Sequence, residues 1–161
     1  MNEYRVTKYN PAFRDSAGAY TRDEWTSFGD IGRSFDGVEL TQGEYERVED
    51  AYVAAAVAFQ REAGVARLVV RGMENTGGPR IPFGEGDELS IEQLPEVLRG
   101  VLREAFWCRL EGADAFVHVG WDFYMYLGVP RPCPAARRQA EELGLYVEEF
   151  ASPYRHDPAF G

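Results

Sequence analysis

Lysine is almost missing from this chain: of 17 basic side chains only Lys8 is a lysine, so chemistry that runs through an amine nucleophile has a single candidate. An almost purely arginine basic set reads as the mark of a GC-rich or heat-adapted genome. Cysteine is nearly as scarce. Cys108 and Cys133 make no disulfide framework and fit a reducing compartment. The two histidines are His118 and His156, and with the cysteines they form no Cys-x-x-Cys, no His-Glu-x-x-His and no calcium-loop spacing, so neither a metal nor a cofactor is expected. The glycine-rich stretch 77–86 lacks both Gly-Lys-Ser/Thr and Gly-x-Gly-x-x-Gly, and Glu85, Asp87 and Glu88 would repel a phosphate. No apolar run approaches the roughly 20 residues that cross a bilayer. The opening Met1-Asn2-Glu3-Tyr4-Arg5 has no signal-peptide apolar stretch. A cytoplasmic protein without a membrane partner is the expectation.

What the chain has in surplus is acid: 27 Asp plus Glu against 17 Lys plus Arg, a net charge of -10. Residues 1–80 carry 10 basic and 13 acidic side chains and residues 81–161 carry 7 and 14, so the excess lies mainly in the second half. A field of that sign repels nucleic acid and attracts basic surfaces. The apolar fraction of 45% and aromatic fraction of 14% are too high for a disordered chain. At 161 residues, positions 1–161 fit one globular domain, which buries roughly 70% of its unfolded surface.

Tyr4 to Tyr9 is rich in β-branched and aromatic residues and stops at Asn10-Pro11, which predicts a first strand. From Asn10 to Leu40 there is no sustained period. Aromatics and turn signals alternate instead, so this segment is expected to pack through its own rings. Thr21 and Glu24 have capping-box spacing for a short helical turn ending near Gly29, and Asp36-Gly37 offers the turn of a small hairpin. Thr41 and Glu44 cap a helix with apolar positions Tyr45, Val48, Tyr52, Ala55 and Phe59 that stops at Gly64. A strand is expected over 65–73, then a loop over 75–86. After a short turn at Ser90, a second helix opens at Pro95 and carries its apolar face through Ala105 and Phe106 toward Cys108. Gly100 within it costs helix stability and signals a close contact.

Ala115 to Gly128 reads as an antiparallel hairpin turned at 120–122, Pro134 opens a third helix ending at Leu143-Gly144, and Leu145 to Phe150 is the last strand. The sum is an α+β fold: a mixed or mostly antiparallel sheet of about five strands with three helices packed on it.

Three readings of function follow. Cys133 at the start of the third helix, with His118 as base and Asp122 as orienter, has the residue types of a cysteine enzyme. The simpler reading places His118 on a sheet face opposite Val117 and Val119, with no special role. A small-ligand domain would hold its ligand between the sheet and the 10–40 segment, and a deep apolar pocket would mark it. The leading reading is a non-enzymatic protein binder whose acidic and aromatic face, drawn from Trp25, Phe28, Asp30, Trp121, Asp122 and Tyr124, meets a basic protein. Core packing is the simpler role for most of these rings; Trp121 and Tyr124, at or beside the turn, are the two expected to stay exposed.

Tyr-Arg-Val-Thr-Lys-Tyr at 4–9, Glu-Trp-Thr-Ser-Phe at 24–28 with Asp30-Ile31-Gly32, and Leu-Tyr-Val-Glu-Glu-Phe-Ala-Ser-Pro-Tyr at 145–154 resemble a group of small acidic bacterial proteins of unassigned activity. The resemblance runs along most of the chain and brings no catalytic residues with it. In size and acidity the chain is similar in type to immunity proteins that neutralise bacterial toxins, which implies a basic protein partner and regulation by binding.

Overall fold

The computed structural model describes residues 1–75 and 80–156. A seven-stranded sheet organises them, in the order β5-β4-β6-β7-β8-β1-β9. Its strands are β1 (Asn2–Thr7), β4 (Arg67–Asn75), β5 (Glu88–Ser90), β6 (Phe106–Glu111), β7 (Phe116–Val119), β8 (Met125–Val129) and β9 (Tyr146–Glu149). Every neighbouring pair is antiparallel. The α+β class is as expected, but the sheet has seven strands where five were expected. Outside it, β2 (Ser34–Phe35) and β3 (Val38–Glu39) form the small hairpin predicted at Asp36-Gly37, both turn residues having positive φ (48° and 77°).

The largest difference lies after the second helix. Helix α2 (Leu94–Leu102) ends well before Phe106, because Glu104 turns left-handed (φ 59°) and the chain reverses into β6. Cys108 is therefore a strand residue and not a helical one. The apolar run misled because Val101, Leu102 and Phe106 all do face the core, but Phe106 gets there by folding back over Gly100. A Cβ at Gly100 would lie 2.1 Å from the Phe106 ring, so the expected close contact is real.

Helix α1 (Gln42–Glu62) is capped by Thr41, whose hydroxyl accepts from the Glu44 amide, and buries Tyr45, Val48, Tyr52, Ala55 and Phe59. Helix α3 (Pro134–Glu142) begins after Cys133, as expected, and packs on α1. The helical turn expected from Thr21 does not form. Glu24, needed to close its capping box, pairs with Lys8 at 2.9 Å, while the Thr21 hydroxyl donates to the Phe13 carbonyl. A tight turn at Phe28–Asp30 forms instead, boxed by Ser27 and Asp30.

The helices cover one face of the sheet, over Val6, Leu110, Val117, Leu127 and Val147. On the other face the 150–155 segment packs through Phe150 and Tyr154 against Tyr126, and Arg14 reaches Tyr124 and Glu148. Both faces of the central strands are thus covered, and β7 is buried at all four positions. The glycine stretch considered above falls partly on residues 76–79, which lie outside the described residues.

Candidate functional site

The residues of the cysteine-enzyme reading are held apart. Cys133 does occupy the N-cap of α3, but its thiol is in the helix-side core, 3.5 Å from the Phe59 carbonyl. The amides that would lower its pKa are taken: Glu62 accepts from Ala135 and Ala136. Burial, with the Glu62 charge next, pushes the Cys133 thiol up rather than down. His118 points to the opposite face of the sheet, so the strands stand between it and Cys133. Asp122 sits in the β7–β8 tip, its carbonyl accepting from the Tyr9 hydroxyl at 2.6 Å.

His118 is not on an open surface. It is fully buried, stacked on Phe116, with Nδ1 2.7 Å from Ser152 Oγ and Nε2 2.7 Å from Glu111. The Glu111 carboxylate can only accept, so a neutral His118 donates from Nε2 and accepts the Ser152 hydroxyl proton at Nδ1. This is the connectivity of a nucleophile, base and orienter. Ser152 is 3% exposed, however, and its amide donates to Glu3. A sealed serine meets no substrate; the relay ties the 150–155 segment to the sheet.

The binding candidates separate sharply. Trp25 is buried against Tyr45 and Phe123. Asp30 is buried and spends its carboxylate on the amides of Thr26 and Ser27 and on Arg33. Tyr124 is half-buried, stacked on Tyr9, its hydroxyl accepting from Arg14. Phe28 is 37% exposed and lies edge-on to Tyr45. Trp121, by contrast, is 82% exposed, with Asp122 exposed beside it.

Next to Trp121 an open cavity of about 500 Å³ lies where three elements end: the far end of β4, the start of β6 and the β7–β8 tip, with the C-terminus of α2 forming one wall. Val101, Leu102, Phe106, Val119 and Phe123 make its apolar floor, and Trp107, Trp121 and Tyr154 line it with further aromatic surface. Among the described residues, its ionisable lining besides Tyr154 consists of the carboxylic acids Glu74, Glu104 and Asp122, with no Lys, Arg or His. The nearby Arg103 is drawn to Glu49 at 2.8 Å. The α2 C-terminus adds partial negative charge of the same sign.

The backbone around this cavity is strained. Four non-glycine residues have positive φ among those described, and Glu104 (59°), Asp122 (61°) and Phe123 (64°), three of them, line the cavity. For a bulky aromatic such as Phe123 this is a true outlier, and outliers of this kind concentrate at functional sites. Gly120 is required beneath them, because a Cβ there would lie 2.5 Å from the Tyr154 hydroxyl. Sequence reasoning found the tip and its acid but missed α2, β6 and Tyr154 as walls. Only the doubled aromatic Phe106-Trp107 hinted at them.

Lys8 lies under Trp25 (4.1 Å) and Tyr9 (4.4 Å) and pairs with Glu24; burial, its largest influence, lowers its pKa to about 8. Its side chain is 5% exposed, which closes it to substrate. Among the described residues no group of His, Cys, Asp and Glu could hold a metal ion, and no helix is long and apolar enough to cross a membrane. No family model, curated protein or solved structure matches the chain.

Proposed function

We propose that this protein is a binding module and that its ligand is a cation with an apolar body, held in the cavity at the β7–β8 tip. The lining carries the reading: an apolar and aromatic floor in about 500 Å³, with carboxylic acids as the only acidic or basic groups besides Tyr154 among the described lining residues. That volume is typical of small-molecule sites, and the sign of the lining selects positive charge. A benzylammonium cation should bind the parent protein, and the anion benzoate should not, in a titration followed by tryptophan fluorescence. Trp121→Ala should weaken the cation several-fold while leaving the unfolding midpoint unchanged, since an exposed side chain contributes little to stability. Benzoate binding as tightly as the cation, or no cation binding, rejects the proposal.

A second reading keeps the same cavity and places the cation on a protein. Trp121 stands 82% exposed, more than a small ligand needs, and a net charge of -10 would speed encounter with a basic partner. An immunity-like or regulatory role belongs to this reading. An arginine-rich peptide competing with benzylammonium, and losing affinity in Trp121→Ala, would favour it.

A further inference from the structure

We infer that the cavity is selective for methylated, above all quaternary, ammonium groups over primary amines. This rests on the proposed cation site and sharpens it to a ligand class. A primary ammonium carries three N–H donors, and each must find an acceptor when it leaves water. The floor offers none: Val101, Leu102, Phe106, Val119 and Phe123 have no acceptor atoms in their side chains. Four backbone carbonyls around it accept hydrogen bonds from within the protein. Val101 accepts from Glu104 N, Val119 from Trp107 Nε1 (2.8 Å), Trp121 from Tyr124 N (3.2 Å) and Tyr154 from Arg109 (3.2 Å). Among the described lining residues, the side chains with acceptor atoms are the hydroxyls of Thr26 and Tyr154 and the carboxylates of Glu74, Glu104 and Asp122, and all three carboxylates sit at exposed positions.

A trimethylammonium group has no donors to satisfy. Its charge is spread over methyl groups that pack on apolar surface, and aromatic faces attract it through their quadrupoles. Two of the three tryptophans in the chain, Trp107 and Trp121, line this one cavity, together with Phe106, Phe123 and Tyr154. Rim carboxylates then supply long-range attraction without a direct hydrogen bond. Aromatic walls, a floor without side-chain acceptors and an acidic rim together describe an ammonium cage, whereas a site for primary amines would bring acceptors to the floor.

The test uses the full chain and a methylation series: benzylamine, N,N-dimethylbenzylamine and benzyltrimethylammonium at neutral pH, where all three are cations. Affinity should rise along the series, with the trimethyl compound at least about tenfold tighter than benzylamine. Choline is compared in parallel with its neutral isostere 3,3-dimethylbutan-1-ol, to separate charge from added area. Trp121→Leu keeps apolar area but removes the π face, and it should flatten the methylation preference in a protein that remains folded. Equal or tighter binding of benzylamine, or equal binding of choline and its isostere, overturns the inference and leaves the cation site standing. An unchanged preference in Trp121→Leu overturns the cage as drawn here. If no member of the series binds, the cation site itself is rejected and this inference falls with it.

Discussion

Gly100 shows how two residue-scale effects of opposite sign are weighed. Alanine in a helix interior is worth about 1 kcal/mol over glycine, but here its methyl would lie 2.1 Å from Cε1 of Phe106, a ring that is 6% exposed and backed by Phe83. Overpacking of that kind costs about 1–3 kcal/mol. Gly100→Ala should therefore lower stability by up to about 2 kcal/mol in chemical denaturation, and a stabilised variant would show that the ring moves freely. The cysteines give a second residue-scale expectation. Burial pushes the Cys108 thiol up to about 12 and also raises Cys133. Alkylation of the native protein should be slow at both and slower at Cys108, with both labelling rapidly in denaturant; rapid native labelling of Cys133 at neutral pH would revive the cysteine chemistry that its burial argues against.

At the scale of elements, α1 and α2 are joined by one buried acid. Glu49 is 1% exposed on α1 and accepts from Arg99 and Arg103 of the α2 end and from the Tyr45 hydroxyl at 2.7 Å. Burial is the largest influence on it and opposes ionisation, yet the hydrogen bonds from Arg103, Tyr45 and Arg99 outweigh it and hold the carboxyl below its ordinary value. Because the unfolded chain takes up the proton first as pH falls, this stabilisation is present above about pH 4.5 and drains away below it. Glu49→Gln should cost about 1–2 kcal/mol at pH 7, since both arginines are 39–40% exposed and water weakens the pair. The gap between parent and variant should close on acidification below pH 4.5. A gap constant from pH 7 to pH 3 would place the stabilisation in packing instead of charge. The same clamp positions Arg103 away from the cavity and so preserves its acidic lining.

For the whole molecule, a charge of -10 with a cavity whose described lining carries acids and no Lys, Arg or His predicts opposite behaviour toward nucleic acid and toward cations. Random DNA or RNA should show no micromolar binding in a gel shift at low salt, because the term that drives non-specific association is repulsive here. Cation binding, in contrast, should weaken as salt rises, since the Debye length shrinks from about 30 Å at 0.01 M to about 10 Å at 0.1 M and screens the exposed carboxylates. A micromolar nucleic-acid complex would mean that arginines gather on one surface in a way the net charge conceals.

Local rules were legible wherever the signal was local. The Thr41 cap, Asp36-Gly37, the 115–128 alternation and Pro134 each specify backbone geometry within a few residues and form as expected, although the Glu44 carboxylate pairs with Arg47 instead of closing the capping box. The class followed from their sum. What lay beyond the sequence was set by contacts distant in the chain. Phe106 has the same apolar signal in a helix as in a strand; only packing over Gly100 and pairing with Asn75 decides for the strand. Glu24 has the spacing of a cap until Lys8, 16 residues away, takes its carboxylate. His118 looks surface-like until Ser152 closes over it, 34 residues later. The cavity is the extreme case: Thr26, Glu74, Leu102, Trp107, Trp121 and Tyr154 share no local pattern and become one site only because three strand ends and a helix terminus meet. Composition determined the sign of its charge and periodicity its scaffold, both sums over local terms; the enclosure of its aromatic walls is a long-range property that tertiary structure alone decided.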